Sequence, residues 1–139
     1  MINAYIATPV TVAAGDAVLF AQSRARTNGS CACNGGWLYH ADGSGQFTIS
    51  RPGRYLVDFG ATVTAAAAGP VALALRLNGE AIPGGLMGET IAAADDEANV
   101  SRAVLIEVPC YASMTVSVAN VGDAEITVNS ASLILTRVC

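Results

Sequence analysis

The stretch Phe47-Thr48-Ile49-Ser50-Arg51-Pro52-Gly53-Arg54-Tyr55-Leu56-Val57-Asp58-Phe59-Gly60-Ala61-Thr62-Val63-Thr64 decides the fold. Two strand-like runs meet at Pro52-Gly53. Pro presets one dihedral there and Gly accepts positive φ, which together suit a tight reversal. Beyond the turn, Tyr55, Val57, Phe59, Ala61 and Val63 alternate with Leu56, Asp58, Gly60, Thr62 and Thr64. A period of two marks a strand with one face in a core. The first set carries the larger aromatic and β-branched side chains, and the second holds the only charge, Asp58. The pattern therefore places Tyr55, Val57, Phe59 and Val63 in the core and Leu56, Asp58, Thr62 and Thr64 on the opposite face. A slip of one residue would exchange the faces completely.

The same alternation recurs on both sides. Val71, Leu73, Leu75 and Leu77 form one set; Val104, Ile106 and Val108 another; Met114, Val116 and Val118 a third. Ile126 and Val128 lead into a last run over residues 131–138. Turn chemistry separates the runs: Asp42-Gly43-Ser44-Gly45, Asn78-Gly79, Pro83-Gly84-Gly85 and Val121-Gly122-Asp123. Asn-Gly between apolar alternations is the strongest short hairpin signal. About eight to ten short strands of this kind predict an all-β sandwich or barrel. Only residues 89–98 could be helical, and they read better as a long loop with one helical turn. Residues 65–68 form a small-residue loop, and no internal repeat or linker divides the chain.

The whole chain has 139 residues, the length of one domain. Hydrophobic residues make up 53% and charged residues only 13%, which excludes disorder. All seven cationic side chains are arginine and the net charge is -4. With no basic cluster, phosphate neutralisation is excluded and no nucleic-acid partner is expected. Gly, Pro or charge interrupts every apolar stretch short of a membrane span, so no membrane insertion is expected. Residues 1–15 lack the basic start and apolar run of a signal peptide.

Three segments resemble a known family. Residues 45–57 are similar to the signature of C1q/TNF-like jelly rolls, in which a Gly-x-Phe strand leads through Pro-Gly into an aromatic-rich strand. Residues 71–80, ending in Asn78-Gly79-Glu80, resemble the family's next strand, and Ala131-Ser132-Leu133-Ile134-Leu135 its final one. Residues 10–20 and Ile82-Pro83-Gly84 bring the match closest to the bacterial and phage branch, which includes the C-terminal domain of the spore-surface protein BclA. The resemblance implies a single antiparallel jelly-roll sandwich of about ten strands over residues 1–139, with 1–15 as an entry segment and 16–139 as the sandwich. It also implies a homotrimer. The chain departs from the family in having no collagen-like Gly-x-y repeat, which favours a compact virion component or an excised domain. Small or uncharged residues opposite the core face, namely Ala72, Ala74, Thr62, Thr64, Ala103, Ser117 and Ala119, suit close approach of neighbouring subunits.

Catalytic chemistry is thinly represented. The single histidine, His40, stands near Asp42 and Ser44, but no Gly-x-Ser-x-Gly elbow accompanies it. It reads as a structural or surface histidine, and no enzyme activity or cofactor is expected. Asp95, Asp96 and Glu97 offer carboxylate oxygens suited to calcium, without EF-hand spacing, and read first as a solvated loop. Cys31, Cys33, Cys110 and Cys139 allow three disulfide pairings, an intersubunit bond at Cys139, or buried thiols. Trp37 and Tyr39 read as core or interface anchors, with a carbohydrate-stacking platform as the functional alternative. The expected role is a trimeric structural module on a virion surface, contacting a capsid or tail protein, or a host-surface receptor or glycan. The alternative is a ligand-binding domain of an extracellular bacterial or spore surface. Loops 65–70, 84–99 and 121–124 are the expected display loops.

Overall fold

A computed structural model describes residues 1–26 and 37–138. Among these described residues eleven strands follow in order: β1 (Ile2–Ile6), β2 (Val10–Val12), β3 (Gln22–Arg26), β4 (Leu38–Tyr39), β5 (Phe47–Ile49), β6 (Gly53–Thr64), β7 (Gly69–Leu77), β8 (Glu80–Ile91), β9 (Ala98–Val108), β10 (Met114–Asn120) and β11 (Ile126–Arg137). The first sheet has the order β3-β1-β11-β6-β9, with β2 also paired to β11; the second has the order β4-β5-β10-β7-β8. All pairings are antiparallel. The described residues contain no helix, so residues 89–98 hold no helical turn in that segment.

The alternation of β6 falls as its residue pattern dictates. Tyr55, Val57, Phe59 and Val63 are buried, while Leu56 and Asp58 are exposed and Thr62 and Thr64 half-exposed on the outer face. Gly53 takes φ 146° at the start of β6, consistent with the Pro-Gly reversal. Apolar side chains from both sheets meet between them, and Phe20 lies at the centre, edge-on to Phe47 and Phe59 at centroid distances of 5.4 and 6.2 Å.

Three expectations change. Residues 1–15 do more than lead in: β1 and β2 run end to end along one side of β11, burying Ile2, Ala4, Ile6 and Val12. Pro83-Gly84-Gly85 does not separate two strands. It lies inside β8, where residues 82–85 bulge opposite Leu75 between the pairs Ala74↔Leu86 and Arg76↔Ala81. The 84–99 display loop therefore shrinks to residues 92–97, because β8 continues to Ile91 and β9 begins at Ala98. The expected 65–70 loop is likewise cut to 65–68, because β7 begins at Gly69, and the 121–124 loop runs one residue further, to 125.

The registers also set the polarity of the barrel. Loops 65–68, 92–97 and 121–125 gather at one pole. At the other lie the starts of β6 and β8, the ends of β9 and β11, and Arg51, Arg54, Arg76 and Arg137.

Candidate functional site

Two surfaces stand out, and β6 lies between them, forming part of the first and leading into the loop that borders the second. The first is the outer face of the first sheet. Leu56 lies opposite Leu105 on β9 and Thr136 on β11. Both leucines are solvent-facing, at 36% and 60% exposure. One step along, Asp58 sits between Ala103 and Ile134; the next row is Ser101, Gly60 and Ser132; the next is Asn99, Thr62 and Ser130. Thr62 Oγ1 donates to Asn99 Oδ1 at 2.7 Å, which satisfies the two groups within the face. Where side chains are this short the sheet leaves a hollow of about 300 Å³. A Cβ built on Gly60 would meet nothing nearer than Ser101 Cβ at 3.9 Å, so the space above it is open. The face is thus an apolar ridge beside a hydroxyl-lined hollow, with Asp58 as the one charge in these four rows.

Not every small outward residue serves such a face. Ala74 and Ala119 are only 2% and 1% exposed, so they are covered within the chain. Ala119 is bridged by Ala17, with Val18 N–H donating to the Val118 carbonyl at 2.8 Å.

The second surface is the loop pole. A groove of about 360 Å³ runs between residues 65–71 on one side and Asp123, Ala124, Glu125 and Thr127 on the other. Asn120, fully buried, fixes the 121–125 loop. Its Nδ2 donates to the carbonyls of Val12 (3.2 Å) and Ala124 (2.9 Å), and its Oδ1 accepts from Gly122 N–H (3.1 Å). The neighbouring 92–97 loop is fastened on by Asp95 N–H donating to the Ala65 carbonyl at 2.9 Å. The sequence does not single out Asn120 as the residue that holds this loop. Its only sequence signal is a polar residue closing an apolar alternation just before a Gly turn.

The other candidates separate. Asp95, Asp96 and Glu97 are exposed, and among the described residues no three His, Cys, Asp or Glu side chains gather as a metal site. His40 is 1% exposed and stacks on Phe47 with centroids 4.3 Å apart. Its Nε2 lies 2.9 Å from the Ser44 carbonyl, which can only accept, so Nε2 carries a proton; Nδ1 lies 3.0 Å from Ser23 Oγ. The Ser44 hydroxyl accepts from Gln46 N–H. His40 thus sits in the core. Trp37 is half-buried against Tyr55, with Arg51 over its ring at 5.7 Å, whereas Tyr39 is 55% exposed. Trp37 packs onto the core cluster beside Tyr55, while Tyr39 faces solvent. Cys110 is an exposed free thiol; Cys31, Cys33 and Cys139 lie outside the described residues, and so do the pairings that involve them.

No family model matches the sequence, and no curated protein matches it. Solved structures do. The globular domain of the zebrafish complement 1qA protein is similar with a TM-score of 0.71 at 12% identity, covering 99% of this chain and 96% of that one. The Eiger TNF of S. frugiperda gives 0.73 at 13%, covering 99% and 92%. Murine APRIL, solved at pH 5.0, gives 0.63 at 10%, covering 95% and 97%. The chain has a C1q/TNF-like jelly-roll fold. At such identities the likeness fixes the architecture and leaves function to the surfaces.

Proposed function

We propose that this chain is a non-enzymatic homotrimeric surface module. In this reading three jelly rolls join through the outer face of the first sheet and present their loop poles outward. The observation that carries it is the Leu56–Leu105 ridge beside the hollow at Gly60. A free monomer normally places charge on such a face, while an interface core is depleted of charge and needs shape to interlock. The resemblance to the bacterial and phage branch directs the reading to a virion surface, as a decoration, head-fibre or tail-associated protein with a host-adhesion role carried by the loops.

Light scattering coupled to size exclusion at micromolar concentration tests the assembly. The expected mass is three times the 14.1 kDa of one chain. A clean monomer would remove the trimer and leave only the fold. Sedimentation of the protein with intact particles through a density gradient, and its absence from the soluble fraction, tests the virion assignment.

A further inference from the structure

The groove at the loop pole joins two features that have separate origins. One is shape. Residues 65–68 are four consecutive alanines, followed by Gly69, Pro70 and Val71, so one wall is apolar and low. The groove is within the size range of ligand-binding clefts. The other is charge. Asp123 and Glu125 form the opposite rim, and the adjoining 92–97 loop adds Asp95, Asp96 and Glu97. The strand registers place Arg51, Arg54, Arg76 and Arg137 at the far end of the barrel. A cleft lined by one sign of charge over low-dielectric walls focuses the field and concentrates counter-charge. Three alanines of the wall, Ala66, Ala67 and Ala68, are exposed, so the apolar wall is open to a partner.

We propose that this groove docks an extended, arginine- or lysine-bearing protein segment. Small apolar side chains of the segment lie along the alanine wall, and its alternate, cationic side chains reach Asp123 and Glu125. An extended chain provides that geometry because successive side chains point to opposite sides. The proposal deepens the display reading of the loops. Every lining group comes from one chain, so it stands or fails separately from the trimer.

The test uses the full chain and a fluorescein-labelled peptide of about eight alternating Arg and Ala residues, long enough to cross the groove when extended. Anisotropy is read at low salt and at about 0.15 M salt, where exposed charges are screened beyond roughly 8 Å. Saturable binding that weakens with salt is expected. The pair Asp123→Asn, Glu125→Gln should weaken it about tenfold or more. Ala67→Phe, which fills the groove and leaves the charge untouched, should do the same. Changing Asp95, Asp96 and Glu97 together to amides should weaken it less, since those groups flank the groove. All these positions are exposed, so unchanged thermal midpoints are expected and confirm that each variant is folded. No saturable binding at low salt overturns the proposal. So does equal loss on neutralising either loop with Ala67→Phe silent, which would mean diffuse attraction without a groove. Salt-sensitive association of the chain with itself, in the absence of peptide binding, would assign the groove to the arginine end of another copy and likewise overturn it.

Discussion

Phe59 shows how far a single side chain determines this core. It is fully buried and edge-on to Phe20, which in turn meets Phe47 and His40. Phe59→Ala should cost about 3–5 kcal/mol, the range for emptying a packed aromatic site, measured by urea unfolding. Tyr55, on the same face, adds a pH dependence. Its hydroxyl donates to the Arg51 carbonyl at 2.7 Å. Burial raises its phenol above the ordinary 10.0, with Arg137 and Arg51 partly opposing. A raised folded value means that the unfolded phenol ionises first. Its contribution is then complete below about pH 10 and declines as pH rises through the folded value. Tyr55→Phe should lower stability near neutrality by about 1 kcal/mol for the lost hydrogen bond and flatten the alkaline fall. An unchanged alkaline slope would show that Tyr55 does not carry it. The inward set of β6 was legible because size and charge separate cleanly between its two faces. His40 is legible only as structural or surface, because nothing adjacent in sequence reveals that Phe47 and Ser23 surround it.

At the level of elements, glycine and proline mark positions without saying what they are for. Asn78-Gly79 signals a hairpin in sequence, and the structure gives both residues positive φ, 53° and 83°, as a type I′ turn requires. Pro83-Gly84-Gly85 carries an equally strong turn signal but sits in a bulge, because bulges and turns demand the same permissive backbone. Gly85 is needed there for close approach: an added Cβ would lie 3.0 Å from the Ile82 carbonyl oxygen and 3.1 Å from Leu75 Cβ. Gly85→Ala should therefore destabilise by about 1–3 kcal/mol, as overpacking does, with the thermal midpoint as the measurement. A neutral result would mean that the bulge opens readily. The loop expected over 84–99 is shorter for the same reason, since a bulge inside β8 carries the residues that elsewhere end a strand. Residues 2–6 did hold an alternation, Ile2, Ala4 and Ile6, but a run of five with small Ala4 at its centre is a faint signal.

At the scale of the whole molecule, the two sheets were legible and their assembly was not, because an outward face reads the same in sequence whether water or a neighbour covers it. Substitutions on that face separate the cases. Leu105 is exposed, so Leu105→Glu should leave monomer unfolding nearly unchanged. If three copies meet on this face, the same change places a carboxylate in each contact, where an unpaired charge loses its hydration. The mass in solution should then fall to one chain. Asp58→Asn should act in the opposite direction. Asp58 lies between Ala103 and Ile134, and neutralising it removes one like charge per subunit from the assembled face, so the trimer should resist dilution better, by about tenfold or more. Sedimentation equilibrium over a range of concentrations, beside thermal unfolding of each variant, reads both effects. A trimer that survives Leu105→Glu would place the contact elsewhere on the barrel. Unfolding caused by Asp58→Asn would mean that Asp58 supports the subunit itself, which its exposed position between two apolar neighbours argues against.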